Sequence, residues 1–327
     1  MSVKEELSAP IPLVDYVLWQ SEDPVARAEA IKATDDALRG SGFLLLVNHG
    51  IDSSLFSDAR KVALEFFRLK SDEKQPQAVT PEAYRGWASR GSEKNGATGL
   101  GTENKPDLKE SFTIGPWDRP DDAYHRGSPG TFAPNKLPDE LPHFEDAWKK
   151  LYLALETVAA DLLKLVEAAL ELPVGTFSDR CRRHASLLTA NWYPAMHGAV
   201  IPENQFRVGP HTDYGIITLL DRQFGSGGLQ VQLPDGSWVD APWVENALTI
   251  NVADLLSRWT GLHYRSAIHR VLAPPPEVPN EELVSLVFFH GADYDTLIAP
   301  VLPTTHQVEP VLAGDYLRMK LATLQGG

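Results

Sequence analysis

His211 and Asp213 sit two residues apart in the run His211-Thr212-Asp213-Tyr214-Gly215. Side chains of an extended segment alternate, so residues at this spacing reach the same side and bring an imidazole and a carboxylate together. A third ligand must come from a distant strand, and His269, in the run Ala267-Ile268-His269-Arg270-Val271, is the candidate. Two histidines and one carboxylate occupy one face of an octahedron and leave three positions open, the arrangement that suits non-haem Fe(II). Open positions let O2 and a reductant meet on one metal, which a closed four-ligand zinc site forbids. A His-x-Asp pair alone is weak evidence, since isolated histidines are more often surface or core residues, so the surrounding chain has to decide.

Short β-type runs at 187–193, 215–220, 229–232, 247–252, 267–272 and 283–289, separated by turn residues, predict the strands that would carry these side chains. Strands so spaced argue for an antiparallel sandwich or barrel-like roll. Ahead of them the pattern is helical. Residues 23–38 carry helical spacing that Gly40 and Gly42 end before a buried strand at Phe43, Leu44, Leu45, Leu46 and Val47. A second helix follows Ser53 or Ser54 as N-cap, with Leu55, Ala59, Val62, Phe66 and Phe67 on one face. Phe144, Trp148, Leu151, Leu155, Val158, Leu162, Leu165 and Ala169 step through a long helix that Pro173 stops. Between these helices, residues 75–138 are rich in Gly, Pro, Lys and Asp and read as a long loop. Such loops tend to be functional, and this one and the stretch from Leu297 onward could cover a pocket mouth.

Composition narrows the classes. With 327 residues, 43% of them hydrophobic, the chain can bury a large core. Its net charge of -14 and pI near 5.1 repel phosphate backbones and anionic membranes, so nucleic acid is a poor partner. No obligatory protein partner is evident. The single cysteine, Cys181, excludes an intramolecular disulfide and a cysteine-based zinc cluster, and fits a buried thiol in a reducing compartment. The N-terminal run MSVKEELSAPIPLVDY is charged where a signal peptide is apolar, and no stretch approaches the ~20 apolar residues of a membrane span, so a cytoplasmic location is expected.

Several separated motifs go further. The runs Gly42-Phe43-Leu44-Leu45-Leu46-Val47-Asn48-His49-Gly50-Ile51, Asp107-Leu108-Lys109-Glu110-Ser111-Phe112, Asn191-Trp192-Tyr193-Pro194 and Gly228-Leu229-Gln230-Val231 accompany the His211-Thr212-Asp213 pair and the 259–271 stretch ending near His269. With these motifs the chain resembles, over nearly its whole length, the isopenicillin N synthase-like family of Fe(II)- and 2-oxoglutarate-dependent dioxygenases. The resemblance implies an α+β protein with a double-stranded β-helix core of the jelly-roll type. A helical N-terminal region with a few core strands would span 1–180, and the Fe(II)-binding core with a C-terminal segment 181–327. It also implies His211, Asp213 and His269 as iron ligands, with 2-oxoglutarate and O2 as co-substrates and a small-molecule organic metabolite as substrate. Tyr193 and Ser285 would steady the 2-oxoglutarate. Asn191 is placed with them, at the border of a substrate side that Phe289 and His290 would line. His49 reads as a turn or packing residue, and histidines 125, 143, 184, 197, 263 and 306 as ordinary surface or core positions.

One position departs from the resemblance. The last core strand of that family typically carries Arg-x-Ser, whose arginine grips the far carboxylate of 2-oxoglutarate with charge-assisted hydrogen bonds. Here the residues are Leu283-Val284-Ser285, and the neighbouring Asn280, Glu281 and Glu282 offer no cation. Burying a carboxylate without a partner costs several kcal/mol, about 3–5 for a broken buried pair. Three readings follow: weak 2-oxoglutarate binding, replacement by another base such as Arg207, Arg258 or Arg265, or an Fe(II) oxidase that draws its electrons elsewhere. A non-catalytic binding protein is a fourth, and the intact triad weighs against it.

Overall fold

The computed structural model describes residues 10–80, 82–98, 105–117, 119–197, 201–202, 204–275, 277–278 and 280–324. The charged N-terminal run and positions 81, 99–104 and 118 of the long central stretch lie outside the described residues.

A short strand β1 (Leu13–Asp15) leads into α1 (Tyr16–Gln20) and α2 (Pro24–Gly40). Asp23 caps α2 by accepting the Val25 N–H at 2.9 Å, and Pro24 takes a position where no N–H is needed. Gly42, at φ 75°, adopts the left-handed conformation that turns the chain into β2 (Phe43–Val47). The cap of α3 (Ser53–Phe67) is Asp52 rather than either serine, its carboxylate accepting the Ser54 N–H at 2.8 Å. A carboxylate also meets the positive end of the helix dipole, which a serine hydroxyl does less well.

The central stretch is not wholly a loop. It contributes β3 (Gly86–Ala88) and β4 (Glu110–Ile114), which extend the main sheet. β4 is short and begins with a charge, so its pattern is faint, yet Phe112 is fully buried and ties it to the helices. Its ring lies 4.8 Å from Phe66, 4.9 Å from Phe144 and 5.4 Å from Trp148, the last two on α4 (Phe144–Ala169).

The remaining strands are β5 (Leu187–Tyr193), β6 (Val208–His211), β7 (Ile217–Asp221), β8 (Leu229–Gln232), β9 (Trp238–Asp240), β10 (Leu248–Val252), β11 (His269–Val271), β12 (Leu283–His290), β13 (Leu297–Ile298) and β14 (Val311–Leu312). An eight-stranded sheet runs β1-β2-β10-β7-β12-β5-β4-β3, antiparallel except for β1 with β2, and a four-stranded sheet runs β6-β11-β8-β9. Two further helices are α5 (Asp254–Trp259) and α6 (Ala313–Leu324).

Alternation along the strands divides the core. Leu44, Leu46, Leu219, Ile250, Leu286 and Phe288 turn one face of the large sheet toward α2, α3 and α4, in one continuous apolar cluster. Phe43 and Leu45 turn the other way and meet Leu229 and Val231 of the small sheet and Ala267 just ahead of β11. The two sheets facing each other form the double-stranded β-helix, and the space between them is where side chains of odd parity on β12 converge. Cys181 is a free buried thiol. Among the described residues no helix is long and apolar enough to cross a membrane.

Candidate active site

Strands β6 and β11 pair antiparallel with His211 directly opposite His269, and their ring centroids lie 4.3 Å apart. Asp213 follows two residues after the end of β6. His211 Nε2 and His269 Nε2 each stand 3.7 Å from Asp213 Oδ1, too long for hydrogen bonds, and the three ligand atoms lie within 4.8 Å of one another. All three residues are buried.

Protein groups hold the outer side of each. His211 Nδ1 donates to the Gly209 carbonyl at 2.8 Å and His269 Nδ1 to the Ala267 carbonyl at 3.1 Å. A carbonyl can only accept, so each Nδ1 carries a proton and each Nε2 faces inward. Asp213 Oδ2 accepts from Thr218 Oγ1 at 2.6 Å and Asn251 Nδ2 at 2.8 Å, which leaves Oδ1 toward the imidazoles. Burial, and then the neighbouring His269, push His211 down to about 3, so its ring is neutral at physiological pH. Burial alone would raise Asp213, but the two histidines and the bonds from Thr218 and Asn251 outweigh it and hold the carboxyl below its usual range. Two imidazole nitrogens and one carboxylate oxygen on one side of a common point are the donor set an Fe(II) ion takes.

The triad lies at the junction of two adjoining cavities, whose shared wall includes Asn191, Val208, His211, Asp213 and Phe289. The first runs between the sheets, past Tyr193, Ser285, Leu283, Arg207 and Arg222. The second is bounded by Tyr84, Glu93 and Asn95 from the long central stretch, by Lys109, and by Leu317 and Leu324 of α6. Both segments suggested as covers therefore contribute walls. Glu93 and Lys109 form a buried ion pair, and Ser111 adds a bond to the same carboxylate oxygen at 3.1 Å. The other oxygen, Glu93 Oε1, is buried with no hydrogen-bond partner among the described residues.

Of the positions singled out in the sequence, the structure brings His211, Asp213, His269, Tyr193, Ser285, Asn191 and Phe289 to these cavities. Tyr193 is hydrogen-bonded to Ser285, and burial pushes its phenol up, keeping it a neutral donor. His290 is not among them. It has the opposite parity to Phe289 on β12, is fully buried, and meets Ser186 Oγ at 3.0 Å and the ring of His184 at 4.9 Å. Its assignment to the substrate side is therefore corrected to a core position. His49 packs on Phe56 and bonds the Asn246 carbonyl, as a turn residue would. Arg207 reaches the first cavity, whereas Arg258 donates to the Glu309 carbonyl and lines neither cavity, nor does Arg265.

Sequence reading missed Thr218, Asn251, Arg222 and Glu93. Strand parity carried a signal for three of them: Thr218, Leu220 and Arg222 share one face of β7 and its extension, and Asn251 shares that of Phe43 across the sheet. Glu93 lies in irregular chain, where no period reports direction.

Comparisons with known proteins agree with this geometry. A family model described as "non-haem dioxygenase in morphine synthesis N-terminal" matches residues 11–140, and the "2OG-Fe(II) oxygenase superfamily" model matches 185–292. Validamycin A dioxygenase of Streptomyces hygroscopicus subsp. limoneus is 37% identical over 319 residues, covering 94% of this chain and 86% of that protein. The 2-oxoglutarate-dependent dioxygenase frbA of Dothideomycetidae sp. is 33% identical over 299 residues, covering 87% of this chain and 84% of that one. Among solved structures, a full-length Neurospora crassa protein in complex with alpha-KG and thymine superposes with a TM-score of 0.82 at 28% identity, covering 95% of this chain and 96% of that one.

Two outcomes follow from the site. Asn251→Ala leaves Asp213 Oδ2 with one donor, and Fe(II) affinity, measured by metal titration, is expected to fall roughly 10–100-fold; unchanged affinity would show that this bond does not orient the carboxylate. His290, held well below its ordinary value first by burial and then by His184, refuses the proton that the unfolded chain takes up below about pH 6.5. Stability contributed by the neutral ring is present above that pH and is lost as pH falls. Chemical denaturation from pH 7 to 5 should show a decline whose slope drops by up to ~1.4 kcal/mol per pH unit in His290→Gln, and equal slopes would refute the assignment.

Proposed function

Because the chain belongs to the 2-oxoglutarate–Fe(II) oxygenase superfamily and is an Fe(II)- and 2-oxoglutarate-dependent dioxygenase, we propose that His211, Asp213 and His269 are its iron ligands and that the second cavity receives the organic substrate. The observation that carries this reading is the convergence of the two Nε2 atoms and Asp213 Oδ1, each fixed from behind by a bond to protein. When bound, the iron supplies open positions at which 2-oxoglutarate and O2 react, 2-oxoglutarate leaving as succinate and CO2 while the substrate is oxidised. His211, Asp213 and His269 act as ligands and not as acids or bases. Tyr193 and Ser285 offer neutral donors to the co-substrate in the first cavity. Phe289 and Asn191 stand at the partition between the two chambers, where they orient what enters from either side.

An oxidase that draws electrons from its organic substrate alone is not favoured: the relatives named above are dioxygenases, and frbA is named for 2-oxoglutarate. A binding protein without catalysis has no use for the triad.

The substrate reading rests on Glu93. A buried carboxylate oxygen without a donor is costly, about 1–3 kcal/mol or more, and calls for a partner. The partner that fits is a small polar molecule bearing hydroxyl or amine donors, its C–H bond directed at the metal from the second cavity. The relative named for validamycin A and the Neurospora crassa structure with thymine are consistent with ligands that are small and polar.

Two experiments test these assignments. Purified protein given Fe(II), 2-oxoglutarate and O2 should form succinate, and His269→Ala should lose at least about 100-fold in iron affinity together with that activity. Retention of tight iron binding by the variant would dismiss the ligand assignment. Screening polyhydroxylated and amine-bearing compounds for stimulation of succinate formation should find one whose KM rises roughly 10-fold or more in Glu93→Gln, with substrate-free turnover unchanged. A best substrate lacking such donors would contradict the role of Glu93.

A further inference from the structure

The dicarboxylate co-substrate needs a cation at the inner end of the first cavity, and Leu283 cannot supply one. Two guanidinium groups reach that cavity among the described residues, from Arg207 and Arg222. Arg207 is already matched: its Nη1 lies 2.6 Å from Glu281 Oε1 and its Nη2 donates to the Glu281 carbonyl at 3.2 Å, with the Tyr193 ring 5.2 Å away.

Arg222 differs in each respect. The β7–β12 register runs Thr218 opposite Phe289, Leu220 opposite Val287 and, as its last pair, Asp221 opposite Leu286; Arg222 follows directly after β7, and it and Ser285 both line the first cavity. It shares parity with Thr218 and Leu220, which face the cavity. Asp221 turns to the helix side and is paired with Arg60. Nη2 of Arg222 donates to the Ala241 carbonyl at 2.8 Å and to the Pro242 carbonyl, and the Arg222 carbonyl accepts from Trp243 Nε1 at 3.0 Å. These bonds fix the side chain without neutralising it. No carboxylate pairs with it among the described residues, and Nε and Nη1 have no acceptor there. Burial lowers its guanidinium to about 10, which leaves it charged at physiological pH with no acid to offset that burial.

We propose that Arg222, together with Ser285 and Tyr193, binds the distal carboxylate of 2-oxoglutarate, so that the cation expected at position 283 of β12 is supplied from the neighbouring strand β7. A position just past the end of β7 lets a guanidinium reach the cavity that Ser285 lines, while Leu283 places an aliphatic chain on that same wall. The inference rests on the 2-oxoglutarate dependence stated above, and its test separates the two.

Anaerobic Fe(II)-loaded protein is titrated with 2-oxoglutarate and, separately, with 2-oxobutyrate, a keto acid that lacks the distal carboxylate, and the metal–keto acid charge-transfer absorption is followed. The expected result is a saturable band with 2-oxoglutarate whose affinity falls roughly 100-fold in Arg222→Leu. Binding of 2-oxobutyrate should be unchanged, which also certifies that the variant is folded and loaded. Adding Leu283→Arg to Arg222→Leu should recover most of the lost affinity. Unchanged 2-oxoglutarate affinity in Arg222→Leu, or an equal loss for both keto acids, overturns the carboxylate role and leaves the dioxygenase reading standing. Absence of any band in the unaltered, iron-loaded protein overturns the dioxygenase reading and the proposal with it.

Discussion

Asp213 has to stay an anion inside a cavity that the two sheets have largely closed to water, and much of the architecture meets that demand. Taking a carboxylate out of water is unfavourable unless hydrogen bonds and opposite charge replace the solvent. Thr218 from β7 and Asn251 from β10 hold one oxygen, so two central strands of the large sheet are committed to a residue just past the end of β6 of the small one. The main chain is drawn in as well, since the N–H of Asp254, at the first position of α5, donates to the Asp213 carbonyl at 2.8 Å. The opposing imidazoles are positioned by the β6–β11 pairing and by backbone carbonyls behind them. Each sheet thus needs the other for its polar interior, and the apolar cluster around Phe43, Leu45 and Val231 makes that contact favourable. Phe43 joins the two, its ring edge-on to His269 at 5.4 Å.

Parity is what translates this contact into a working cavity. On β12, Leu283, Ser285, Val287 and Phe289 face the metal side while Val284, Leu286, Phe288 and His290 face the helices. A shift of one residue would exchange the two sets and place Phe288 in the cavity and Ser285 in the core. The helices guard against that slip. Tyr152 of α4 packs edge-on to Phe288 at 5.1 Å, and Arg60 of α3 accepts no change of register because it pairs with Asp221 and donates to the Val284 carbonyl at 3.0 Å. The helical layer therefore does more than cover an apolar face; it fixes which side chains meet the co-substrate.

What could be read from residues alone follows the same division. Helices with a long apolar stripe, such as the one through Trp148 and Leu162, and strands with a strong run, such as that at 283–289, were legible because their period is carried by many residues. The triad was legible because His-x-Asp at strand spacing has few other uses once the flanking motifs are present. β4 is hidden because five residues bearing only Phe112 and Ile114 as large apolar groups carry too short a signal, and of its two partners β3 is shorter still and β5 lies far along the chain. His290 departs from its expected place for a plainer reason: it follows Phe289 immediately, and adjacency in a strand means opposite faces. Glu93 gave no sign, since its role depends on Lys109 and Ser111 meeting it across irregular backbone.

The charges around the two cavities are disposed in a way that composition would not suggest. A chain with a net charge of -14 places Arg207, Arg222 and Lys109 around its metal site. Two of these cations are cancelled locally, Arg207 by Glu281 and Lys109 by Glu93, so neither adds a net field to the chamber it borders. Such pairs contribute little to stability when desolvation is counted, but they fix geometry: Glu281 also accepts the N–H groups of Ser226 and Gly227 and so shapes the loop that follows Arg222. The pair thus orders the backbone beside Arg222, the guanidinium at this cavity that no carboxylate pairs with among the described residues. In the other chamber the cancellation leaves a polar wall of no net charge, with one carboxylate oxygen still to be matched. One cavity is in this way suited to an anion and the other to a neutral or donor-rich molecule, and the metal triad stands between them, where the two ligands would have to meet.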